Sequence, residues 1–481
     1  MLSEAMKNSR SHCPEAGDSE AKARPSILIK ALAYTAPQLG VALLLGPIIT
    51  VLGGIYAKHF GLALTTIAAV MLVARIFDAV TDPLIGYYSD RWRARTGTRK
   101  PFILAGCLLL IPSSFCLFVP PDGVGGIYFT FWYMAFYLAF TIFVIPYVAW
   151  ANEFTETSKE KTLVFSVLAA VGQGGNALFY VIPLLPFWLT TEITPEVLRF
   201  TVLMGVSLLI PGLYLAIKIV PDGPAPRSIP MDNSSASSAS SGLKNCRLLI
   251  AAFVKNQPFL LYVSAYLCLG IGYGMWAGLF FIYVDVYLQL GEVFAKLTLW
   301  GMLIGIGSIP AWYRLSLYWG KRTAWLVGMA LLAAVFLGTG MLRPIHTGLG
   351  ELFALNILLY FAAGSLGVIA QPVLCDVIDY GRFKEGTERN AQYFAIHALM
   401  TKLQMAIGGA LGFAIVGWFG FDVQASQQSD LSLLGLRISI SWLPTLFVIL
   451  AMIFIAKMPL SEKRMEIIRR RLKARDERAG P

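Results

Sequence analysis

The residues with the clearest chemical capacity are Arg75, Asp78 and Asp82, in the stretch Ala74-Arg-Ile-Phe-Asp-Ala-Val-Thr-Asp-Pro-Leu-Ile-Gly86. Spacings of three and seven residues put all three on one helical face. The surrounding sequence is apolar, and an ionised group inside a membrane helix is disfavoured by roughly 2.5–3.5 kcal/mol even on the most lenient scale. Two carboxylates four residues apart repel each other unless a cation or a proton sits between them. That is the requirement for a coupling-ion site. A bland alternative stays open, in which Arg75 neutralises Asp78 and simply holds the helices together. Pro83 frees a backbone carbonyl nearby, which can serve an ion or merely kink the helix.

A second charge stands far along the chain. Lys402 lies in Ala398-Leu-Met-Thr-Lys-Leu-Gln-Met-Ala406, about a dozen residues from either end of its apolar stretch. A buried ammonium needs a partner, and Asp78 and Asp82 are the best candidates. A mobile cation and Lys402 would then compete for the same carboxylates, which is a physical route to coupling. The bland alternative is that Lys402 snorkels to an interface.

The elements that must position these charges follow from hydropathy. Of 481 residues, 57% are hydrophobic, 13% aromatic and 14% charged, against roughly 25% charged in soluble proteins. Stretches of the bilayer-crossing length of about 20 residues recur at 27–57, 61–89, 101–120, 126–151, 162–189 and 197–220. They return at 255–288, 293–318, 322–342, 349–379, 389–420 and 432–458. Each is apolar on most of its circumference, as membrane helices are. Residues 1–26 are polar and lack a signal-peptide core. Residues 221–254 begin with a Pro-rich run and contain a Ser/Ala run, so they read as a flexible cytoplasmic linker. The expected domains are therefore 27–220 and 255–458, each of six helices, followed by a basic tail at 459–481.

The halves echo each other. Pro146 precedes Glu153 by seven residues, and Pro372 precedes Asp379 by seven; each pair is followed by a glycine cluster, at 172–175 and 408–409. Gly97-Thr-Arg-Lys100 and Gly320-Lys-Arg322 mark equivalent loops. Internal repeats of this sort build transporters whose bundles rock about a midplane site. The net charge of +11 concentrates in alternate loops and in the tail, which the positive-inside rule reads as cytoplasmic termini, with the tail anchored on anionic lipid headgroups. The six cysteines form no Cys-x-x-Cys pair, and no metal site or cofactor is expected.

The stretch Arg75 to Gly86, Gly97-Thr-Arg-Lys-Pro101, and Asp376-Val-Ile-Asp-Tyr-Gly-Arg-Phe-Lys384 followed by Glu388-Arg389 resemble the glycoside–pentoside–hexuronide:cation symporter family of the major facilitator superfamily. Animal lysolipid symporters are distant members. The resemblance implies an all-α integral membrane fold of twelve transmembrane helices in two six-helix bundles. By position it implies a cation site at Asp78, Asp82, Thr81 and Thr141, coupled through Lys402 and Arg75. Thr81 stands where the family has asparagine, so the ion is sodium or proton. The family's charged or aromatic sugar partners fall on Ala42, Val144, Val148 and Leu168, which argues for a sugar held differently or a more apolar substrate. Candidate substrate contacts by depth are Tyr34, Gln38, Gln173, Asn176, Trp276, Tyr283, Gln392 and Gln404, each of which reads more readily as ordinary helix packing. Asp90, Arg91, Glu153, Asp376, Asp379 and Arg389, at cytoplasmic helix ends, read first as structural charge pairs and second as gating residues that latch and release the inward face. Asp285 has no obvious partner in sequence.

The expected function is cation-coupled symport of a small organic solute, a sugar or glycoside by family default, through a monomer in a bacterial-type cytoplasmic membrane. An amphiphilic or lipid-like substrate, or a transport-inactive sensor, is the alternative. A membrane enzyme would need a clustered nucleophile or metal set, and His12, His59, His346 and His397 are scattered. An open channel is poorly served by a Lys-neutralised acid pair. If both termini are cytoplasmic, cysteines placed at 230–245 resist an impermeant thiol reagent in intact cells and react after permeabilisation. Ready labelling of intact cells reverses the topology.

Overall fold

The computed structural model describes residues 26–155, 157–223, 256–344, 348–385, 390–425, 427–460 and 462–479. Twelve helices among them are long and apolar enough to cross a membrane. Six precede the 224–255 region: Ile27–Thr50, Leu64–Thr96, Lys100–Phe118, Gly126–Phe154, Lys159–Leu184 and Pro195–Ile219. Six come after it: Gln257–Tyr287, Gly291–Trp319, Lys321–Met341, Leu349–Lys384, Ile396–Trp418 and Asp430–Ala456. Numbered in chain order, these are the first to twelfth spans. Helix is the form that satisfies every backbone polar group without water.

The packing repeats with an offset of six. The first span packs on the fifth and sixth, and the fourth on the second and third. The seventh packs on the eleventh and twelfth, and the tenth on the eighth and ninth. Between the halves, the second span meets the eleventh and the fifth meets the eighth, which is the same contact with the halves exchanged. Small residues allow the closest of these approaches. A Cβ on Gly40 would lie 2.6 Å from the Gly205 carbonyl oxygen of the sixth span. One on Gly408, in the glycine cluster of the eleventh span, would lie 2.3 Å from the Ile271 carbonyl oxygen of the seventh. With no apolar-from-water driving force between helices in lipid, this backbone proximity is what association rests on.

Several features differ from the sequence expectation. The first span stops at Thr50, and a separate short helix, Leu52–Phe60, comes after it. The second span continues to Thr96 rather than ending near residue 89, because the polar Asp90–Thr96 segment still makes helical bonds until Gly97 closes it with φ +80°. The tail is not simply a strip lying on lipid. Glu462–Ala479 is helical, and its Met465, Ile468 and Leu472 are buried. Their spacing of three and four makes one apolar face. The seventh span ends in a π-helical turn, Tyr283–Tyr287.

Gly408→Val places methyl groups where the seventh-span backbone lies, and overpacking of this kind typically removes about 1–3 kcal/mol. The expected result is a lower thermal midpoint in detergent than for Gly174→Val, since nothing lies within 4 Å of the Gly174 Cβ position. Equal midpoints would show that the helices separate freely at this crossing.

Candidate functional site

Arg75, Asp78 and Asp82 share a face of the second span, and Lys402 reaches them from the eleventh. Arg75 Nη1 donates to Asp78 Oδ2 at 2.9 Å, and Lys402 Nζ donates to Asp82 Oδ2. Each carboxylate thus has one oxygen held by a cation, one from its own helix and one from the other half of the molecule. The other oxygens, Asp78 Oδ1 and Asp82 Oδ1, are buried without a hydrogen bond, as is Arg75 Nε. Buried acceptors are rarely left so, and two carboxylate oxygens without donors on one helix face are hard ligands of the kind a small cation takes. Arg75 is further fixed by the Tyr137 ring of the fourth span, 4.2 Å from its guanidinium carbon.

The threonines assigned by resemblance lie on the second span and on the fourth, which packs against it. Thr81 lies between the acids in sequence, and its hydroxyl donates to Phe77 O at 3.1 Å, so the oxygen lone pairs remain available. Thr141 is buried on the fourth span, which packs on the second. Lys402 differs from expectation in one respect. Its side chain is 54% exposed whereas that of Asp82 is 21% exposed, so the ammonium stands in the gap between the halves rather than inside a helix crossing.

The substrate candidates separate into two groups. Tyr34, Trp276 and Tyr283 are buried with their polar atoms already used. Tyr34 donates to Tyr147 O at 2.7 Å, Trp276 Nε1 to Thr339 Oγ1 at 3.4 Å, and Tyr283 to Thr339 O. In this arrangement these three pack between helices with their polar groups engaged there. Gln38 is half-buried, and Gln173 accepts from Asn176 Nδ2 at 3.3 Å. Gln404 is buried, with its Oε1 unpartnered. The side chain of Gln392 lies outside the described residues.

The charges expected to form the inward latch are paired within each half here. Asp90 and Glu153 both bind Arg99, and Glu153 also takes Arg93 at 2.8 Å. Arg91 instead donates to Tyr87 at 3.2 Å. In the second half, Asp376 takes Lys321 at 2.7 Å together with Arg469, and Asp379 takes Arg469 at 3.2 Å. All these pairs bind elements of one half to each other, so they anchor each bundle and do not bridge the two. Arg389 lies outside the described residues.

A bridge does exist at the opposite end. Lys58 Nζ donates to Asp285 Oδ2 of the other half at 2.7 Å, and stands 3.6 Å from Glu192 Oε2 of its own half. Two more contacts cross between the halves here. Gln424 donates to Lys58 O at 3.2 Å, and Thr191 to Glu292 O at 2.6 Å. Sequence reasoning left Asp285 without a partner and passed over Lys58; the available signal was a carboxylate in an apolar span, which demands a cation somewhere. Beside it, burial and the neighbouring Lys58 hold the His59 imidazole below its ordinary value, which keeps a second positive charge away from the bridge at neutral pH.

Removing Lys58 leaves the 2%-exposed Asp285 carboxylate without its cation. Lys58→Ala is expected to lower stability by about 2 kcal/mol, less than for a fully buried pair because Lys58 is partly hydrated. Adding Asp285→Asn should restore most of the thermal midpoint. A double variant less stable than Lys58→Ala alone would contradict the pairing.

The profile of the MFS/sugar transport protein family matches residues 31–462. The chain is 25% identical to the uncharacterized symporter YnaJ of Bacillus subtilis, over 93% of this chain and 95% of the relative. It is 25% identical to the putative glycoside/cation symporter YagG of Escherichia coli, over 87% and 88%. It is 22% identical to the sodium-dependent lysophosphatidylcholine symporter 1-A of Danio rerio, over 83% and 79%. Among solved structures, the inward-open xylose transporter XylE of E. coli shares the fold, with TM-score 0.59, 14% identity and coverage of 92% of this chain and 98% of that one. With its twelve spans, its repeat and a family match over almost its whole length, this chain belongs to the MFS/sugar transport protein family.

Proposed function

We propose that this protein is a secondary active symporter that uses a sodium or proton gradient to move a small organic solute by alternating access. One observation carries the reading: Lys402 of the second half bonds Asp82 of the first, while Oδ1 of both Asp78 and Asp82 is buried without a donor. A cation binding those oxygens competes with Lys402 for Asp82. Loading the site therefore loosens a contact between halves, and emptying it restores that contact. The ion's differential affinity for the two arrangements is what shifts their populations. The Lys58–Asp285 bridge closes one face, and the opposite face, which carries both termini, is the open one in this reading. By the positive-inside argument that face is cytoplasmic.

A sugar or glycoside is the first choice of substrate, supported by the names of relatives such as the E. coli glycoside/cation symporter. A lipid-like amphiphile is the second. It is favoured by a relative named for lysophosphatidylcholine and by Val144 and Val148 on the fourth span, where the family resemblance would put polar sugar contacts. Gln38, Gln173, Asn176 and Gln404 remain the polar groups on offer.

Uptake into vesicles under an imposed sodium or proton gradient tests the reading, screened over sugars and amphiphiles. Asp78→Asn and Asp82→Asn are each expected to abolish accumulation above equal concentrations while leaving the protein folded. Normal uphill uptake by both variants would refute the cation site.

A further inference from the structure

The repeat supplies an internal control for one loop. In the first half, Arg99 binds Glu153. The next residue, Lys100, donates to the carbonyls of Ile217 and Val220 at the end of the sixth span, at 3.2 and 3.1 Å. Asp222 then neutralises it, at 3.4 Å. In the second half, Lys321 binds Asp376, three residues before Asp379, the sequence counterpart of Glu153. Arg322 takes the place of Lys100 and likewise donates to a carbonyl at the end of a span, Ala456 of the twelfth. The matching acid does not recur. Among the described residues no carboxylate pairs with Arg322, and where the first half has Asp222 the second half has a cavity of about 810 Å³.

The lining of that cavity says what fits. Lys321, Arg322, Arg469 and Arg470 present four cations to it against the carboxylates of Asp376 and Glu466. Asp376 takes Lys321 and Arg469, Asp379 outside the lining takes Arg469 as well, and Glu466 is held by Arg470 at 2.7 Å, so Arg322 is the lining cation that no carboxylate meets among the described residues. Part of the wall is apolar, made by Val373, Ile455 and Leu460. The cavity opens where spans eight, nine, ten and twelve end, the level at which lipid headgroups meet a bundle. The C-terminal helix covers it through Met465 and Arg469.

We propose that this cavity binds the phosphate-bearing headgroup of an anionic phospholipid from the terminus-side leaflet, with Arg322 as the principal contact and the apolar wall receiving the first acyl carbons. Guanidinium and phosphate match in a forked, charge-assisted geometry, and basic pockets between spans are how membrane proteins hold such headgroups. The lipid phosphate does for Arg322 what Asp222 does for Lys100. The C-terminal helix and the bundle are then clamped by a bound lipid as well as by Arg469.

The test uses the full chain in detergent, titrated with phosphatidylglycerol, phosphatidylcholine or inorganic phosphate and read by native mass spectrometry and thermal midpoint. Phosphatidylglycerol is expected to bind one molecule per chain and raise the midpoint, and phosphatidylcholine to do neither. Arg322→Gln should weaken phosphatidylglycerol binding on the order of tenfold, as loss of one charge-assisted contact implies, and Arg322→Lys, which keeps the charge and loses the fork, should fall between the Gln variant and the wild type. Leu460→Trp keeps every charge, fills the apolar wall and should also block the lipid, so the proposal stays testable if Arg322→Gln folds poorly. Equal binding of the two lipids, unchanged binding in both the Gln and Trp variants, or stabilisation by inorganic phosphate equal to that by phosphatidylglycerol would overturn it; the last outcome assigns the cavity to a free anion.

Discussion

Two carboxylates one helical turn apart stay ionised in an apolar bundle only if positive charge meets each of them, and here the two positive charges come from different places. Arg75 is bound to the same helix as Asp78 and is pinned under Tyr137, so it moves with the site. Lys402 belongs to the other half and touches Asp82 only while the halves are together there. A charge that is neutralised across a movable interface makes ion occupancy and domain position one equilibrium. In the proposed exchange, the unpartnered oxygens on both acids would supply the ligands for the competitor. Everything else in the molecule can be read as serving that exchange.

The twofold repeat does most of that serving. Equivalent spans pack in equivalent pairs, and the interface between halves is built from the second span on the eleventh and the fifth on the eighth. The glycines at Gly40, Gly205, Gly272 and Gly408 lock the first and seventh spans into their own bundles through backbone-level contact. Charge pairs at the terminus-side ends do the same, Arg99 with Glu153 in one half and Lys321 with Asp376 in the other. Rigid bundles with a thin, partly polar interface are what rocking requires. The bridge from Lys58 to Asp285 then acts at the far face, where the halves meet. The repeat is also informative where it fails, as at Arg322, whose counterpart Lys100 has an acid while Arg322 has none among the described residues.

Much of this was legible from residues because the bilayer is an unforgiving solvent. Apolar length located all twelve spans, and charges in the wrong medium singled out Asp78, Asp82 and Lys402. The second span's extension to Thr96 was hidden, since hydropathy ends where the lipid ends while helical hydrogen bonding continues to Gly97. The Lys58–Asp285 contact joins residues 227 positions apart and depends on how two bundles meet, which no local pattern encodes. Tyr34, Trp276 and Tyr283 could be read either as packing or as solute contacts, for a different reason. A polar atom on a deep aromatic residue looks available to a solute, yet a neighbouring helix offers Tyr147 O or Thr339 first. The tail showed its charges plainly and its buried face only through the spacing of Met465, Ile468 and Leu472.

The central claim is that Lys402 and a mobile cation compete for the same carboxylate, and equilibrium ion binding measures that competition most directly. Sodium binding to purified protein, with proton binding followed by potentiometric titration, can be compared between the wild type and Lys402→Ala. The account predicts that the well-folded variant still binds the coupling ion, and binds it more tightly, because its competitor for Asp82 is gone. Unchanged affinity for both ions in that variant would contradict the account and leave Lys402 as a structural clamp.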